Sequence, residues 1–411
     1  MRRLWTLLGD ARDLRFLLAA NLVSLTGEWM LRTGVAYQIY VLTGSTLASA
    51  AAVLASLVPT IVLGSVAGVF ADRWDRRRTM VATDLLMAAA LLPLIAVHDA
   101  GRAWIVYLVL ALQSCLAPFF ASAEAALLPR VAPQDQLVTV NSLNAQVRDV
   151  ARLIGAALGG VVAAAGGIGL LGALNAVTFL LSACLLLAIR VRRRPAAGEA
   201  THPLREWAEG LRIASSSPTL RVWLAFGLIT GIGEAVIGTL MAPFVRDVLG
   251  GSARAYGMIM AAQAIGGLGG GLIVTLIGHR FTPRAMFGCG AVAFGLLDLA
   301  LFTYPLLRPV LWPAVALIVL VGLPAAFMTA GAMTVFQEAT EDEHRGRVWG
   351  ATVAVDGAAM LLGTVAAGTL AGHLGILPVI AAQGVAYSLA GAMVLAALRP
   401  PAPDRVHALR R

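Results

Sequence analysis

The sequence reads Gly68-Val-Phe-Ala-Asp72-Arg73-Trp-Asp75-Arg76-Arg77-Arg78 between two long apolar segments, roughly 47–70 and 79–97. Its aspartates and arginines must lie outside hydrocarbon, because a charge at the centre of a bilayer costs roughly 3 kcal/mol or more. Each flanking segment is long enough to cross a membrane as a helix, which takes about 20 residues. The sequence therefore predicts a short charged turn between two transmembrane helices.

The composition leads to the same class of protein. Hydrophobic residues make up 59% of the chain and charged residues only 13%, whereas soluble domains carry about 25% charged residues. The apolar runs are spread almost end to end, which predicts an all-α polytopic membrane protein with about twelve transmembrane helices. We predict spans near 16–40, 47–70, 79–97, 103–126, 138–165, 168–189, 220–245, 257–277, 285–305, 310–335, 348–371 and 376–397.

The basic residues predict the orientation of these spans. All 31 of them are arginines, and with a cytoplasmic N-terminus the outer loops keep only Arg102, Arg246, Arg254 and Arg308. Because cytoplasmic loops carry the excess of positive charge, we expect both termini in the cytoplasm. The net charge of +9 is then a sign of topology, and no soluble basic face indicates nucleic-acid binding.

A polar interval divides the predicted spans six and six. The expected domains are 1–190, a six-helix bundle; 191–218, a cytoplasmic linker with a short amphipathic segment from Leu204 to Ala214; 219–399, a second six-helix bundle; and 400–411, a cytoplasmic tail. The halves also look related, because an offset of 206 aligns Gly27-Glu28 with Gly233-Glu234 and an offset of 208 aligns Gly155 with Gly363. Repeated halves fit a transporter that rocks around a site near the bilayer midplane.

The charged turn resembles the loop signature of the major facilitator superfamily of transporters, with Asp75 where a glycine is usual. Further stretches are similar to its bacterial drug and siderophore exporter branch: Leu-Thr-Gly-Ser (42–45), Asn141-Ser142-Leu143-Asn144, Gly155-Ala-Ala-Leu-Gly159-Gly160 and Arg345-Gly346-Arg347-Val348. The fifth helix has Ala156 where antiporters of the superfamily have proline. The arginine motif typical of the fourth helix in proton-coupled members is absent, since Leu110-Ala-Leu-Gln113-Ser114 stands there.

The resemblance implies the major facilitator fold of two pseudo-symmetric six-helix bundles and a proton antiporter that works as a monomer. It also implies that the charged turn is a gating element that forms contacts in one state and loses them in another. The gating residues are Gly68, Asp72, Arg73, Arg76 and Arg77. The glycines of the antiporter-like motif are Gly155, Gly159 and Gly160, for which close helix packing is the other reading.

Ionisable residues at midplane depth are the candidates for substrate binding or proton coupling. Glu28 lies about twelve residues into the first helix, Arg32 follows one turn later, and Asn21 and Ser24 extend the same face. Glu28 is expected either to bind a proton or a cationic substrate, or to form a permanent ion pair with Arg32. Trp29 could stack on a flat or cationic drug, or belong to the packed core.

The remaining candidates lie on the fifth, seventh, ninth and eleventh helices. Glu234 repeats Glu28, with Gly238 in place of Arg32, so it could bind and release a proton unless Arg148 from a neighbouring helix pairs with it. Arg148 could otherwise contact a substrate, and Asp298 and Asp356 are the other deep acids. Asp84 and Glu124 are expected near inner helix ends, where solvent or loop salt bridges would account for them.

No cofactor or metal site is expected, and we interpret Cys115, Cys184 and Cys289 as buried packing thiols. No catalytic constellation or nucleotide-binding domain stands out, so an enzyme is not expected. We expect a secondary transporter in membrane lipid that exports a small-molecule substrate, amphipathic or lipophilic, in exchange for protons. The alternatives are a proton-coupled symporter that imports a nutrient, and a polytopic membrane receptor or enzyme that transports nothing.

Overall fold

The structure is a computed structural model that describes residues 12–73, 75–131, 137–190, 203–341 and 345–398. Within these helices, the side chains of 64–73, 137–139, 142, 203–208, 210, 345 and 346 lie outside the description. Every regular element of the described residues is helical. This follows from the hydropathy, because a segment that crosses hydrocarbon must satisfy its own backbone hydrogen bonds.

The structure describes twelve α-helices. They are α1 (Arg12–Thr43), α2 (Thr46–Arg73), α3 (Arg76–Leu91, continued by a 3₁₀ turn over Leu92–Ala96), α4 (Ala103–Val131), α5 (Leu137–Leu187), α6 (Pro203–Ser216), α7 (Pro218–Pro243, continued by a π turn over Phe244–Val248), α8 (Ala253–Ile277), α9 (Pro283–Thr303), α10 (Leu311–Ala339), α11 (Arg345–Leu374) and α12 (Ile376–Ala397).

The described helices give the predicted number of spans. Ten of them are long and apolar enough to cross a membrane, and α1, which carries more charge, is equally long. α5 counts twice, because its run of 51 residues contains non-helical backbone at Gly166 and Gly167. We call the segments on either side α5a (137–165) and α5b (168–187). Twelve spans and an all-helical architecture confirm the predicted fold class.

Glycine makes two of the turns possible. Gly167 has φ +62° and Gly375, between α11 and α12, has φ +87°, a backbone region that residues with a Cβ atom seldom adopt. The predicted boundary between the fifth and sixth spans falls at the first of these glycines.

Large apolar side chains cover the outer surface of the helices. Leu272 and Leu276 of α8 are 68% and 70% exposed, which would be costly in water and is expected against lipid. The prediction of three buried thiols is wrong in this respect. Cys184 and Cys289 are exposed and Cys115 is half-buried, because helices that are apolar all round give no sequence signal that separates lipid-facing from core positions.

The chain forms two compact units. Unit 1 comprises Met1–Thr201, Thr239–Ala264 and Gly368–His373. Within it, α1 contacts the segment after α7: the Tyr37 hydroxyl donates to the Gly251 carbonyl at 2.8 Å, and Arg246 donates to the Tyr40 carbonyl at 3.0 Å. The Thr46 hydroxyl likewise donates to the Gly368 carbonyl at 2.9 Å.

Unit 2 comprises His202–Gly238, Ile265–Ala367 and Leu374–Arg411. A buried aromatic cluster holds α7, α9 and α12 together, in which Phe226 meets the ring of Phe287 at 4.6 Å and Phe294 meets that of Tyr387 at 4.5 Å. The glycine run of α8 packs on α10, since a Cβ atom on Gly270 would lie 2.4 Å from the Gly322 carbonyl oxygen. The amphipathic linker segment forms α6, while 191–202 and 400–411 lie outside the described residues.

Each unit contains the same helix contacts at equivalent positions. Gly155 of α5a touches Thr26 of α1, and Gly363 of α11 touches Ile232 of α7. Arg77 at the start of α3 donates to the carbonyl of Leu186 at 2.9 Å, near the end of α5b, and Arg284 at the start of α9 donates to that of Leu395 near the end of α12. The glycine contacts keep the offsets 208 and 206 of the sequence repeat, and the arginine contacts are shifted by one residue, to 207 and 209, so the repeat extends to tertiary contacts.

Candidate functional site

A buried polar network joins α1, α4 and α5a in unit 1. The Glu124 carboxylate accepts hydrogen bonds from Asn21 and Asn144, both at 2.8 Å, and each of its oxygens accepts one from Arg148 at 2.7 Å. Glu124 is only 3% exposed, so the expectation of a solvated inner-end acid is wrong. The arginine and the two amides together provide the buried carboxylate with an ion pair and hydrogen bonds.

Arg148 is therefore occupied by a partner other than the one considered from the sequence. Its ion pair is with Glu124, and its side chain stays 47% exposed. Both of its hydrogen bonds to Glu124 come from Nη2, so the other N–H donors of the guanidinium are not used by this carboxylate. The sequence contained part of this signal, since Asn21, Asn144 and Arg148 all stood out as polar groups within apolar helices.

The polar stripe of α1 runs from the core to an accessible face. Asn21 and Ser24 are buried, Glu28 is half-buried and Arg32 is exposed. The described residues show no ion pair between Glu28 and Arg32. Arg32 instead lies over the ring of Trp29, with its guanidinium carbon 5.0 Å from the ring centroid.

A second arginine reaches the same ring. The guanidinium carbon of Arg152 lies 5.1 Å from the Trp29 centroid, and its Nη2 donates to Gln263 Oε1 at 3.0 Å. The helices approach closely here because Gly155 has no side chain: a Cβ atom on it would lie 2.5 Å from the Thr26 carbonyl oxygen. In unit 1, the guanidinium groups of Arg32 and Arg152 thus both lie over the indole ring of Trp29.

The other two glycines of the motif also stand at close contacts. A Cβ atom on Gly159 would lie 2.6 Å from the Met30 carbonyl oxygen, and one on Gly160 would lie 2.4 Å from that of Ala253. Small residues at these positions allow backbones to approach, as in other membrane helix pairs.

The charged turn makes helix-end contacts. Asp75, which replaces the usual glycine, caps α3 by accepting a hydrogen bond from the Arg78 backbone N–H at 2.8 Å. Arg76 donates to the Ala126 carbonyl of α4 at 3.2 Å, and Arg77 donates to the end of α5b. Gly68, Asp72 and Arg73 belong to the helical backbone of α2, but their side chains lie outside the described part of the chain.

Unit 2 brings three of the predicted acids to the surroundings of one tyrosine. The Tyr387 hydroxyl donates to Glu234 Oε2 at 3.4 Å, and the charges of Asp298 and Asp356 also act on this tyrosine. Asp298 is fully buried and accepts a hydrogen bond on Oδ2 from Gln383 Nε2 at 3.0 Å. Its Oδ1 has no hydrogen-bond partner, and neither has Gln383 Oε1.

Asp356 is half-buried on α11 and packs on α7. Its Oδ1 has no hydrogen-bond partner, and a Cβ atom on Gly227 would lie 2.6 Å from that oxygen. Because Gly227 has no side chain, the carboxyl group of Asp356 can pack against the backbone of α7.

Asp84 of α3 is a further buried acid that the sequence did not single out as a site residue. It is fully buried and neither of its oxygens has a hydrogen-bond partner, so the expectation of an inner-end, solvated residue is wrong for it too. Its position eight residues inside α3 was visible in the sequence, but its burial depends on the packing of the neighbouring helices.

Comparison with known proteins agrees with this architecture. A family model described as a transmembrane secretion effector matches residues 10–408. The macrolide efflux protein A of Streptococcus pyogenes is 25% identical over 373 residues, which cover 87% of this chain and 89% of that protein. The multidrug efflux pump Tap of Mycolicibacterium fortuitum is 27% identical over 351 residues, which cover 81% and 83%.

Solved structures of transporters share the fold. A point mutant of the nucleoside transporter NupG superposes with a TM-score of 0.78 at 11% identity, covering 94% of this chain and 100% of that one. A bacterial homologue of the iron transporter ferroportin in its inward-facing state gives a TM-score of 0.73 at 17% identity, covering 94% and 98%. With twelve spans, repeated helix contacts and a match over nearly its whole length, the chain belongs to the transmembrane secretion effector family of major facilitator transporters.

Proposed function

We propose that this transporter exports small amphipathic or lipophilic compounds across the cytoplasmic membrane of a bacterium in exchange for protons. Both termini are cytoplasmic in this proposal, and the halves 1–190 and 219–399, joined by the linker 191–218, alternate access as a monomer in membrane lipid. The names of the relatives from Streptococcus pyogenes and Mycolicibacterium fortuitum, which describe efflux, support the outward direction.

The observation that carries the proposal is the environment of Asp298, which, unlike that of the equally buried Asp84, combines a second acid, an amide and a tyrosine. The carboxyl group is fully buried, Oδ1 receives no hydrogen bond, and no basic side chain among the described residues pairs with it. A buried carboxylate without a cation loses several kcal/mol of solvation. The nearby Glu234 carboxyl adds repulsion between like charges. A carboxyl group in such surroundings is suited to bind and release a proton as its surroundings change, which is the role proposed for Asp298.

The internal repeat supplies a comparison for this residue. In unit 2 the Gln383 side chain packs on Gly233, and in unit 1 Asn175 packs on Gly27 at the equivalent position. The segment equivalent to Asp298 is Ala-Leu-Leu at 90–92. The same helix packing therefore forms without an acid, which supports a role for Asp298 other than holding the helices together.

Gln383 can serve both protonation states of Asp298. Its amide N–H₂ donates to Asp298 Oδ2 in the arrangement described, a bond that an ionised carboxylate accepts. When the amide turns by half a rotation, its oxygen instead accepts the O–H of the protonated acid. Glu234 and Tyr387 then form the next proton-accepting group, because the tyrosine hydroxyl already donates to Glu234 Oε2. Proton binding and release at Asp298 thus needs little rearrangement of the buried side chains.

The test measures the accumulation of a panel of fluorescent compounds and antibiotics in bacteria that lack their own efflux pumps. Wild type, Asp298→Asn and Glu234→Gln are compared with and without a protonophore. Asp84→Asn is the matched control, because it neutralises an equally buried carboxyl in unit 1 with the same change in volume.

We expect lower accumulation with wild type and with Asp84→Asn, restored to the empty-vector level by the protonophore. Asp298→Asn and Glu234→Gln should export at a small fraction of the wild-type rate. Export that survives both substitutions would reject these acids as the coupling site. Higher accumulation of a compound in cells with wild type would reject export in favour of uptake.

A further inference from the structure

Unit 1 contains two cations that share one aromatic ring. The guanidinium carbons of Arg32 and Arg152 lie 5.0 and 5.1 Å from the centroid of Trp29. Trp29 and Arg152 are half-buried, and Arg32 is exposed. The group is therefore accessible to a ligand and is still held by the protein.

The packing of α1 on α5a orients both arginines. Gly155 brings the α5a backbone against Trp29, since a Cβ atom on the glycine would lie 2.7 Å from the Trp29 Cβ. Arg152, one turn earlier on α5a, then extends over the ring and is held by Gln263 at 3.0 Å. A guanidinium that is stacked and hydrogen-bonded loses less conformational entropy when it binds a ligand.

The two arginines of this group make no ion pair with an acid of the described residues. Among the described residues no carboxylate oxygen lies within 4.0 Å of a nitrogen of Arg32 or Arg152. Glu124 is committed to Arg148, and Glu28 beside the ring makes no ion pair with any described side chain. Two positive charges on one half-buried ring repel a cation and attract an anion.

We propose that Trp29, Arg32 and Arg152 form a subsite for the acid group of a flat amphipathic anion, such as a carboxylate or sulfonate attached to an aromatic body. Each guanidinium donates charge-assisted hydrogen bonds to the acid oxygens. The indole provides apolar surface beside them for the body of the ligand. The inference rests on the proposed function, in which the ligand is the exported cargo, and it narrows that cargo from amphipathic compounds in general to anionic ones.

The test uses fluorescein and rhodamine 6G, which share a xanthene ring system and carry opposite charge. Their binding to the purified full-length protein is measured by fluorescence anisotropy in a neutral detergent, without a proton gradient. The variants are Arg32→Gln, Arg152→Gln and Trp29→Phe. Arg102→Gln is the control, because Arg102 is also an exposed arginine of unit 1 and pairs with Asp99 away from the ring.

Wild type and Arg102→Gln should bind fluorescein with equal affinity and rhodamine 6G more weakly. Arg32→Gln and Arg152→Gln should each weaken fluorescein binding by at least about tenfold, the loss expected for one charge-assisted contact. Neither should weaken rhodamine 6G binding. Fluorescein binding that is unchanged in both arginine variants would overturn the subsite, as would tighter binding of rhodamine 6G than of fluorescein by wild type.

Export of fluorescein from cells decides whether the anion is cargo. Arg32→Gln and Arg152→Gln should slow it in proportion to the lost affinity. If binding depends on the arginines but export does not, the group serves an anionic lipid headgroup and the assignment to cargo fails. Asp298→Asn should keep fluorescein binding but lose proton-driven export. The Asp298 variant therefore tests the proposed proton exchange, and the arginine variants test the anion subsite.

Discussion

Gly155→Ala adds one methyl group where α5a crosses α1. The new Cβ atom would lie 2.5 Å from the Thr26 carbonyl oxygen and 2.7 Å from the Trp29 Cβ, whereas real Cβ contacts essentially never fall below 3.0 Å. A backbone oxygen cannot rotate away from such a contact. The two helices must therefore separate by about half an ångström, which packed interiors resist.

A matched variant isolates the cost of this separation. Overpacking of this size costs about 1–3 kcal/mol, but alanine also gains about 1 kcal/mol over glycine in a helix. Gly267→Ala in α8 has the same gain and no overlap, because its Cβ atom would meet nothing within 4 Å. The free energy of unfolding of Gly155→Ala should thus be lower than that of Gly267→Ala by about 1–3 kcal/mol.

Denaturant titration of both purified variants, followed by circular dichroism in one detergent, measures this difference. Fluorescein affinity provides a second readout, because Arg152 moves with α5a and should lose its position over Trp29 only in Gly155→Ala. Equal stability of the two variants, or equal affinity for the dye, would refute the close approach of α1 and α5a on which the arginine group depends.

Three further contacts are tested by substitutions measured with the same titration. Glu124→Ala should lower the free energy of unfolding by about 2–4 kcal/mol, because it leaves Arg148 and two amides without this acceptor, and Glu124→Gln, which keeps one acceptor oxygen, should cost less; equal costs would contradict a contribution from these hydrogen bonds. Arg77→Ala should cost about 1–2 kcal/mol through the lost hydrogen bonds at the end of α5b, and full stability would show those contacts to be unimportant. Gly270→Ala should be less stable than its neighbour variant Gly271→Ala, whose Cβ atom meets nothing within 4 Å; the reverse order would contradict the packing of α8 on α10.

The spans were predictable because each helix in a membrane satisfies its own backbone, so that hydropathy alone locates it. The boundary between α5a and α5b followed from Gly166 and Gly167, which interrupt an otherwise continuous apolar run. The internal repeat could also be recognised from the sequence. Gly155 and Gly363 lie at its offset of 208 residues, and both pack against a neighbouring helix in the structure.

The surroundings of individual polar residues were less predictable. Glu124 and Asp84 lie in apolar helices whose periodicity does not distinguish core from lipid, so their burial depends on neighbours far along the chain. The four-residue spacing of Glu28 and Arg32 favours an ion pair on an isolated helix. In the folded protein Arg32 instead lies over Trp29, which Arg152 of another helix reaches as well.

The pairing of Asp298 with the amide of Gln383 in unit 2 was equally hard to predict. Asp298 and Gln383 are 85 residues apart, and no local pattern links them. The sequence selected Asp298 by depth alone, and only the packing of α9 on α12 gives it an amide partner on one oxygen and none on the other.

Reconstitution into liposomes tests proton exchange most directly. The purified transporter is sealed in vesicles with a pH-sensitive dye inside, fluorescein is added as cargo, and cargo and proton fluxes are recorded together after a pH gradient is imposed. Wild type and Asp84→Asn should move cargo and protons in opposite directions, and both fluxes should stop when a protonophore collapses the gradient. Asp298→Asn should show no cargo movement in response to the gradient. Cargo movement without a matching proton flux in wild type, or an unchanged response in Asp298→Asn, would contradict proton exchange at this residue.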